Sequence, residues 1–409
     1  MKLALAGLLS LLFFVAAAKA AGIDDYKAGL EAQNRRQAEE AIDYFSQAIA
    51  SGELAGEPLA AAYFHRAQVY LENLNVIRFN KRRPNQFFGE KGLALALADL
   101  DLAIRHNRNL GEAFQTRGIV RTGQRQYAAA VSDLNRAQEL GQRDAKLFYY
   151  RGRSKFEAGN KDQAISDLSA AIEIKKQDMA KWEVRGGRPL SVDIAELLGY
   201  LGVRGRAYDK MDANELAKRD YDAIVSIRPD WHSVFEDRGK LLFRMGDFDG
   251  AAADFSRHID LTAVKDPMIV PVALWRHVAL RRAGQSSSFS EEIEDAGKAS
   301  PPPRDKYTIC LKNCSRSLDP KYWEISIVQL FLDRIAPEQV MPAVTNDPNM
   351  KPHVRKYRIS EAYFFLGEHA LLRGDRAEAV RMFTATIRTG DQEYDVSRAA
   401  RAELGRIRH

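Results

Sequence analysis

Small and apolar residues recur along this chain at alternating spacings of four and three, the period of a helix face rather than of a strand. Ala41, Phe45 and Ala48 form one such set; Ala96, Leu100 and Ala103, Ala130, Leu134 and Ala137, and Ala164, Leu168 and Ala171 form three more. Each set is preceded by a second helical stretch carrying a small residue at its middle: Gly29, Ala67, Gly118 and Gly152 here, and Gly205, Gly239 and Gly367 further on. The pattern predicts pairs of short helices. Gly118 and Gly152 lie 34 residues apart, as do Gly205 and Gly239.

A period of 34 with small residues at set offsets resembles the tetratricopeptide repeat, a pair of antiparallel helices that buries its core against the next pair. The resemblance rests on Phe114, Gly118, Ala130, Leu134 and Ala137; on Phe148, Gly152, Ala164, Leu168 and Ala171; on Gly205, Tyr208, Ala217, Tyr221, Ile224 and Pro229; on Phe235, Gly239, Leu242, Ala251 and Phe255; and on Tyr363, Gly367, Ala379 and Phe383. It implies an all-α fold, a right-handed solenoid of helix pairs over 21–265, and a helical region over 266–409 that ends in one more repeat. Ala67 and Ala96 are 29 positions apart where a regular repeat has 12, and Gly152 and Gly205 are 53 apart rather than 34. These excesses predict insertions near 75–92 and 175–194, emerging as loops.

Ahead of the repeats, Lys2 is followed by an apolar run to Ala18, and Ala18-Lys19-Ala20 fits a signal-peptidase site. The run is short of the roughly 20 residues that span a bilayer. Residues 1–20 are therefore expected to be a cleaved signal peptide, leaving an exported, soluble protein with no integral span. The Ala- and Arg-rich composition points to a bacterial periplasm. Without Lys2 and Lys19, 59 basic residues face 55 acidic ones, a net charge of +4. Such mild charge argues against a nucleic-acid partner. The two cysteines, Cys310 and Cys314, read either as a disulfide closing a very small loop or as two free thiols.

Five repeats carry Arg just before the small residue of the first helix: Arg66, Arg117, Arg151, Arg204 and Arg238. The same five carry Asp three residues after the Ala of the second helix: Asp99, Asp133, Asp167, Asp220 and Asp254. The first and last repeats lack both. Joint presence and absence predicts an ion pair inside each repeat, because a half-buried charge without its partner is costly. Tyr149, Arg153 and Phe156 fall at i, i+4 and i+7 on one helix face, and Arg206, Lys240 and Phe243 extend the pattern. Arginines and aromatics of this kind suit a groove for a partner's peptide segment; a solvated helix face with packing aromatics is the alternative. Arg82, Arg83, Phe87 and Phe88 in the first insertion form a basic-aromatic loop that fits a membrane surface or an acidic partner, or packs back on the repeats. The eight histidines form no His-x-x-x-His pair, and there is no phosphate loop or Gly-x-Ser-x-Gly. The expectation is no metal, no cofactor and no catalytic constellation.

The second half is similar to the NlpI-type periplasmic repeat proteins. The residues that carry this are the repeat at 231–261, a helix with Trp275, Lys321-Tyr322-Trp323-Glu324-Ile325, Glu361-Ala362-Tyr363-Phe364-Phe365-Leu366-Gly367, and the Gly374-Asp375 turn into Ala379 and Phe383. That family comprises outer-membrane lipoproteins that dimerise and bring cell-wall hydrolases to a protease. This chain lacks a lipid-attachment cysteine and carries two insertions. The resemblance implies a non-catalytic adaptor with protein partners and a homodimer. A scaffold for secretion or polysaccharide assembly, or an enzyme with its site in 266–355, are the alternatives.

Overall fold

The structure, a computed structural model, describes residues 22–79, 90–184, 190–262, 269–285, 324–345 and 351–408. Residues 1–20, expected to be a signal peptide, the residues Arg82, Arg83, Phe87 and Phe88, and Cys310 and Cys314 lie outside them. The described residues are all-α. The chain forms two compact units, Met1–Tyr200 and Leu201–His409. They divide inside one helix, whereas the sequence places its boundary near 265, where the repeat signature lapses.

The first unit holds α1 (22–34), α2 (Ala38–Ala50), α3 (Gly56–Phe79), α4 (Glu90–His106), α5 (Gly111–Gly123), α6 (Tyr127–Glu139), α7 (Ala145–Glu157), α8 (Lys161–Val184) and the start of α9 (Ser191–Lys210). Helices α3 and α4, α5 and α6, and α7 and α8 pack as pairs, and each pair packs on the next. The reason is visible in the side chains. Phe45, Leu100, Leu134 and Leu168, the large residues of the second helices, are completely buried. Leu134 sits on Gly118: a Cβ there would lie 2.6 Å from Leu134 Cγ. Gly152 stands in the same relation to Leu168, at 2.9 Å. Only a hydrogen at that crossing lets the two helices approach this closely. Asp144 starts α7 by accepting a hydrogen bond from the Leu147 N–H at 3.0 Å.

The insertions lengthen helices rather than forming only loops. Helices α3 and α8 have 24 residues each, against 13 in α5, α6 and α7. From Lys161 to Val184 the chain contains no Gly or Pro, so nothing in that stretch breaks the helix. The extension is tied down by Lys175, whose ammonium reaches Asp193 at 3.1 Å and Glu196 at 2.5 Å.

The second unit holds the rest of α9, then α10 (Asn214–Ile227), α11 (His232–Met245), α12 (Phe248–Leu261), α13 (Ile269–Arg282), α14 (Glu324–Phe331), α15 (Val340–Thr345), α16 (Pro352–Leu372), α17 (Arg376–Thr389) and α18 (Asp395–Arg408). Its core is aromatic. Trp275 lies with its centroid 5.1 Å from Phe243 and 4.9 Å from Phe364, and Phe255, Phe365 and Phe383 are completely buried around them. The last helix, α18, packs on α17 and returns onto α11 and α16, burying Val396, Ala399 and Ala400. The inner face of α11 is thus covered by the chain's own C-terminal helix.

Candidate protein-binding surface

The five arginines of the first helices are hubs. Arg151 Nε and Nη2 donate to the two carboxylate oxygens of Asp167 at 2.8 and 2.7 Å. Arg66 grips Asp99, Arg117 grips Asp133, Arg204 grips Asp220 and Arg238 grips Asp254 with the same two-pronged geometry, every distance lying between 2.6 and 2.9 Å. The five aspartates are buried. The remaining Nη1 of the guanidinium reaches back to the preceding repeat: Arg117 to Asp101 at 2.7 Å, Arg151 to Asn135 at 3.1 Å, Arg238 to Asp222 at 2.7 Å and Arg66 to Ser46 at 2.9 Å. The planar group also lies over an aromatic ring three residues earlier, Tyr63, Phe114, Phe148 or Phe235, at 5.4 to 5.8 Å. Arg204 uses Tyr208 instead, at 5.7 Å. One residue type thus fastens both helices of its own repeat and the repeat before it, which Lys, without the fork, would not do.

The Arg–Asp register is plain in the sequence. The reach back to the preceding repeat and the ring at i−3 are not foreseen there, although both are periodic and become legible once the arginine's third nitrogen is asked for a partner. Arg276 Nε donates to Ser256 at 2.7 Å, a link like the one that Arg66 makes to Ser46. Helix α13 therefore behaves as a further first helix in a stretch where the repeat signature is lost.

The groove candidates divide between the units. In the first, Tyr149, Arg153 and Phe156 are half-buried on α7. Tyr149 stacks on Tyr200 with centroids 4.5 Å apart and meets the edge of Tyr150 at 5.0 Å. Arg153 has no ion-pair partner among the described residues. In the second unit, Arg206 is half-exposed with its guanidinium 3.8 Å from Asp237. Phe243 is not on an open face: it is completely buried against Trp275 and Phe248. Lys240 is not free either. It bonds Glu236 at 2.6 Å and Asp395 of α18 at 3.5 Å. Burial opposes its charge, but Asp395 and Glu236 outweigh burial and hold its pKa above the ordinary lysine value. Phe243 is taken up by the aromatic core of α12, α13 and α16, and Lys240 is engaged by the return of α18 onto α11.

Helix α18 is fastened by charge as well as packing. Arg398 donates to Asp209 Oδ2 at 2.8 Å and to Asp212 at 2.9 Å, and Arg244 bonds the same Asp209. Arg406 Nη2 donates to the Phe243 carbonyl at 3.0 Å. Glu403 and Glu368 are both completely buried and share Arg282, at 2.7 and 3.1 Å. Burial, then the neighbouring Glu403 charge, pushes the Glu368 carboxyl up to about 8 against the pull of Arg282. These paired carboxylates have no access to a substrate. Among the described residues no group of three or more His, Cys, Asp or Glu is arranged to hold a metal ion, and no described helix is long and apolar enough to cross a membrane.

Residues 116–178, the third and fourth repeats, match the tetratricopeptide repeat family model. Solved structures with the same helix-pair architecture include a tetratricopeptide repeat protein from Parabacteroides merdae, 12% identical, covering 72% of this chain and 98% of its own, with a TM-score of 0.44. The C-terminal part of a repeat-containing protein from Cytophaga hutchinsonii is 14% identical, covers 81% of this chain and 98% of its own, and has a TM-score of 0.42. YrrB, described as a repeat protein with an unusual peptide-binding site, is 19% identical, covers 56% and 96%, and has a TM-score of 0.41. Repeats of this family serve in general as non-catalytic surfaces for protein–protein interaction.

Proposed function

We propose that this protein is a non-catalytic adaptor that holds a segment of another protein on the first-helix face of its N-terminal unit, and that it works in the bacterial cell envelope beside proteases or wall hydrolases. One observation carries the binding surface. Tyr149, Arg153 and Phe156 present two half-buried aromatics and a cation without an ion-pair partner along one face of α7. Rigid aromatic anchors with an unspent charge between them are the usual material of binding hot spots. The envelope setting rests on the leader-like N-terminus and on the family similarity of the second half. Arg206, half-exposed, is a further candidate for charge contacts.

A photo-crosslinking amino acid placed at Tyr149 or Phe156 in living cells tests this. The expected result is a small set of crosslinked envelope proteins, identified by mass spectrometry and absent when the crosslinker stands at Gln177 on α8. An identical set from both positions would end the proposal.

A further inference from the structure

A second surface lies where α4, α5 and α6 meet. There a cleft of about 740 Å³ opens among Ile104, Arg105, Arg108, Phe114, Arg117 and Arg136. Its charges do not simply cancel. Asp101 and Asp133 line it, but Arg117 holds both, at 2.7 and 2.6 Å, and Arg121 adds a second contact to Asp133 at 2.7 Å. Glu139 also lines it and is held by Arg136 at 3.0 Å. The two cations left over are Arg105 and Arg108, both exposed and both without an ion-pair partner among the described residues. They stand three positions apart, at the last turn of α4 and just beyond it, so their guanidinium groups serve one patch. Beside them Phe114 and Ile104 line the cleft, both half-buried, and Arg117 lies over one face of the Phe114 ring at 5.5 Å.

The next repeat does not reproduce this arrangement. The positions 34 residues after Arg105 and Arg108 are Glu139 and Gln142. The unspent positive charge is therefore a local property of this cleft and not a by-product of the arginine hubs, whose guanidinium groups are all consumed.

We propose that the cleft docks an acidic peptide segment of a protein partner, with carboxylates paired to Arg105 and Arg108 and an apolar side chain against Ile104 and Phe114. Arginine suits carboxylates because its fork matches their two oxygens. A cleft of this volume with an apolar wall is much larger than one small anion requires. The inference is independent of the α7 face, so either can fail alone.

The test is fluorescence anisotropy with a fluorescein-labelled peptide of alternating glutamate and leucine, added to the full chain. The double variant R105E/R108E is expected to weaken binding by at least about tenfold. The control K27E/R35E reverses two exposed charges elsewhere in the same unit and should stay within about twofold of wild type. Thermal melting of R105E/R108E should match wild type, because neither cleft arginine holds another residue. Equal loss in both variants would show diffuse electrostatic attraction and overturn the proposal, as would unchanged binding by R105E/R108E. Full displacement of the peptide by inorganic phosphate at matched charge concentration would overturn it too, by showing a site for small anions.

Discussion

Arg151 and Asp167 stand sixteen residues apart on facing helices and share two hydrogen bonds of 2.8 and 2.7 Å, both groups buried. Neither charge is stable there alone. The neighbouring pair in the register, Gly152 and Leu168, keeps the same sixteen-residue offset, so one crossing point carries both the closest helix approach and the ion pair. Removing Arg151 takes away both hydrogen bonds and leaves Asp167 with Lys155, whose ammonium lies 2.9 Å from Oδ2. Arg151→Ala is expected to destabilise the fold by about 2–3 kcal/mol in urea unfolding, because the two-pronged pair and the bond to Asn135 are lost together. The double variant with Asp167→Ala should lose clearly less than the sum of the two single losses. Additive losses would show that the two side chains do not depend on each other.

Gly118→Ala tests the crossing itself. The added methyl carbon would meet Leu134 Cγ at 2.6 Å, so the variant should lose about 1–3 kcal/mol. Trimming Leu134 to Ala alone opens a cavity and should also destabilise, by about 2–5 kcal/mol. Together they should be less damaging than their sum, because each relieves part of what the other creates. An unchanged melting temperature for Gly118→Ala would mean that the helices separate without cost.

The buried pair Glu368 and Glu403 predicts an unusual pH dependence. Glu368 titrates near 8 when folded, raised by burial and by Glu403, against 4.5 for a free glutamate side chain. The folded state therefore binds this proton more tightly than the unfolded chain does. Its contribution is complete below about pH 4.5 and is lost as the pH rises through about 8. Glu368→Gln keeps the shape and never ionises. Urea unfolding of the wild type minus that of Glu368→Gln, followed from pH 5 to pH 9, should fall steadily with rising pH. A flat difference would place the Glu368 proton elsewhere.

The C-terminal helix gives a fourth prediction. Arg398 is buried and binds Asp209, which Arg244 also holds. Arg398→Ala leaves Arg244 to neutralise Asp209, so the loss should be about 1–3 kcal/mol. Hydrogen exchange should show it confined to α18 and the helices beneath it, α11 and α16. Exchange that speeds equally throughout the N-terminal unit would contradict that localisation.

How much of this was legible in the residues follows from how local each feature is. The helix pairs, the small residues at their crossings and the Arg–Asp register repeat within about 34 positions, so the chain's own periodicity determines them: each repeat meets the same neighbours in the same way. The return of α18 onto α11 is not periodic. It engages Lys240, while Phe248, Trp275 and Phe364 enclose Phe243; both residues look like groove residues when the repeat pattern alone is followed. Asp395, Arg398 and Arg406 carry no mark in the sequence of the residues more than 150 positions away that they meet, because such a meeting depends on how several pairs stack before it. The same holds for Arg105 and Arg108, whose free charge becomes evident only when every other cation in the cleft is seen to be paired. The extended α8 lies between these cases: its lack of Gly and Pro was readable, but the ion pairs of Lys175 with Asp193 and Glu196 on the next helix were not. Periodic contacts are written in the sequence because they are repeated; the singular contacts, which close one face and leave another open, belong to the tertiary structure.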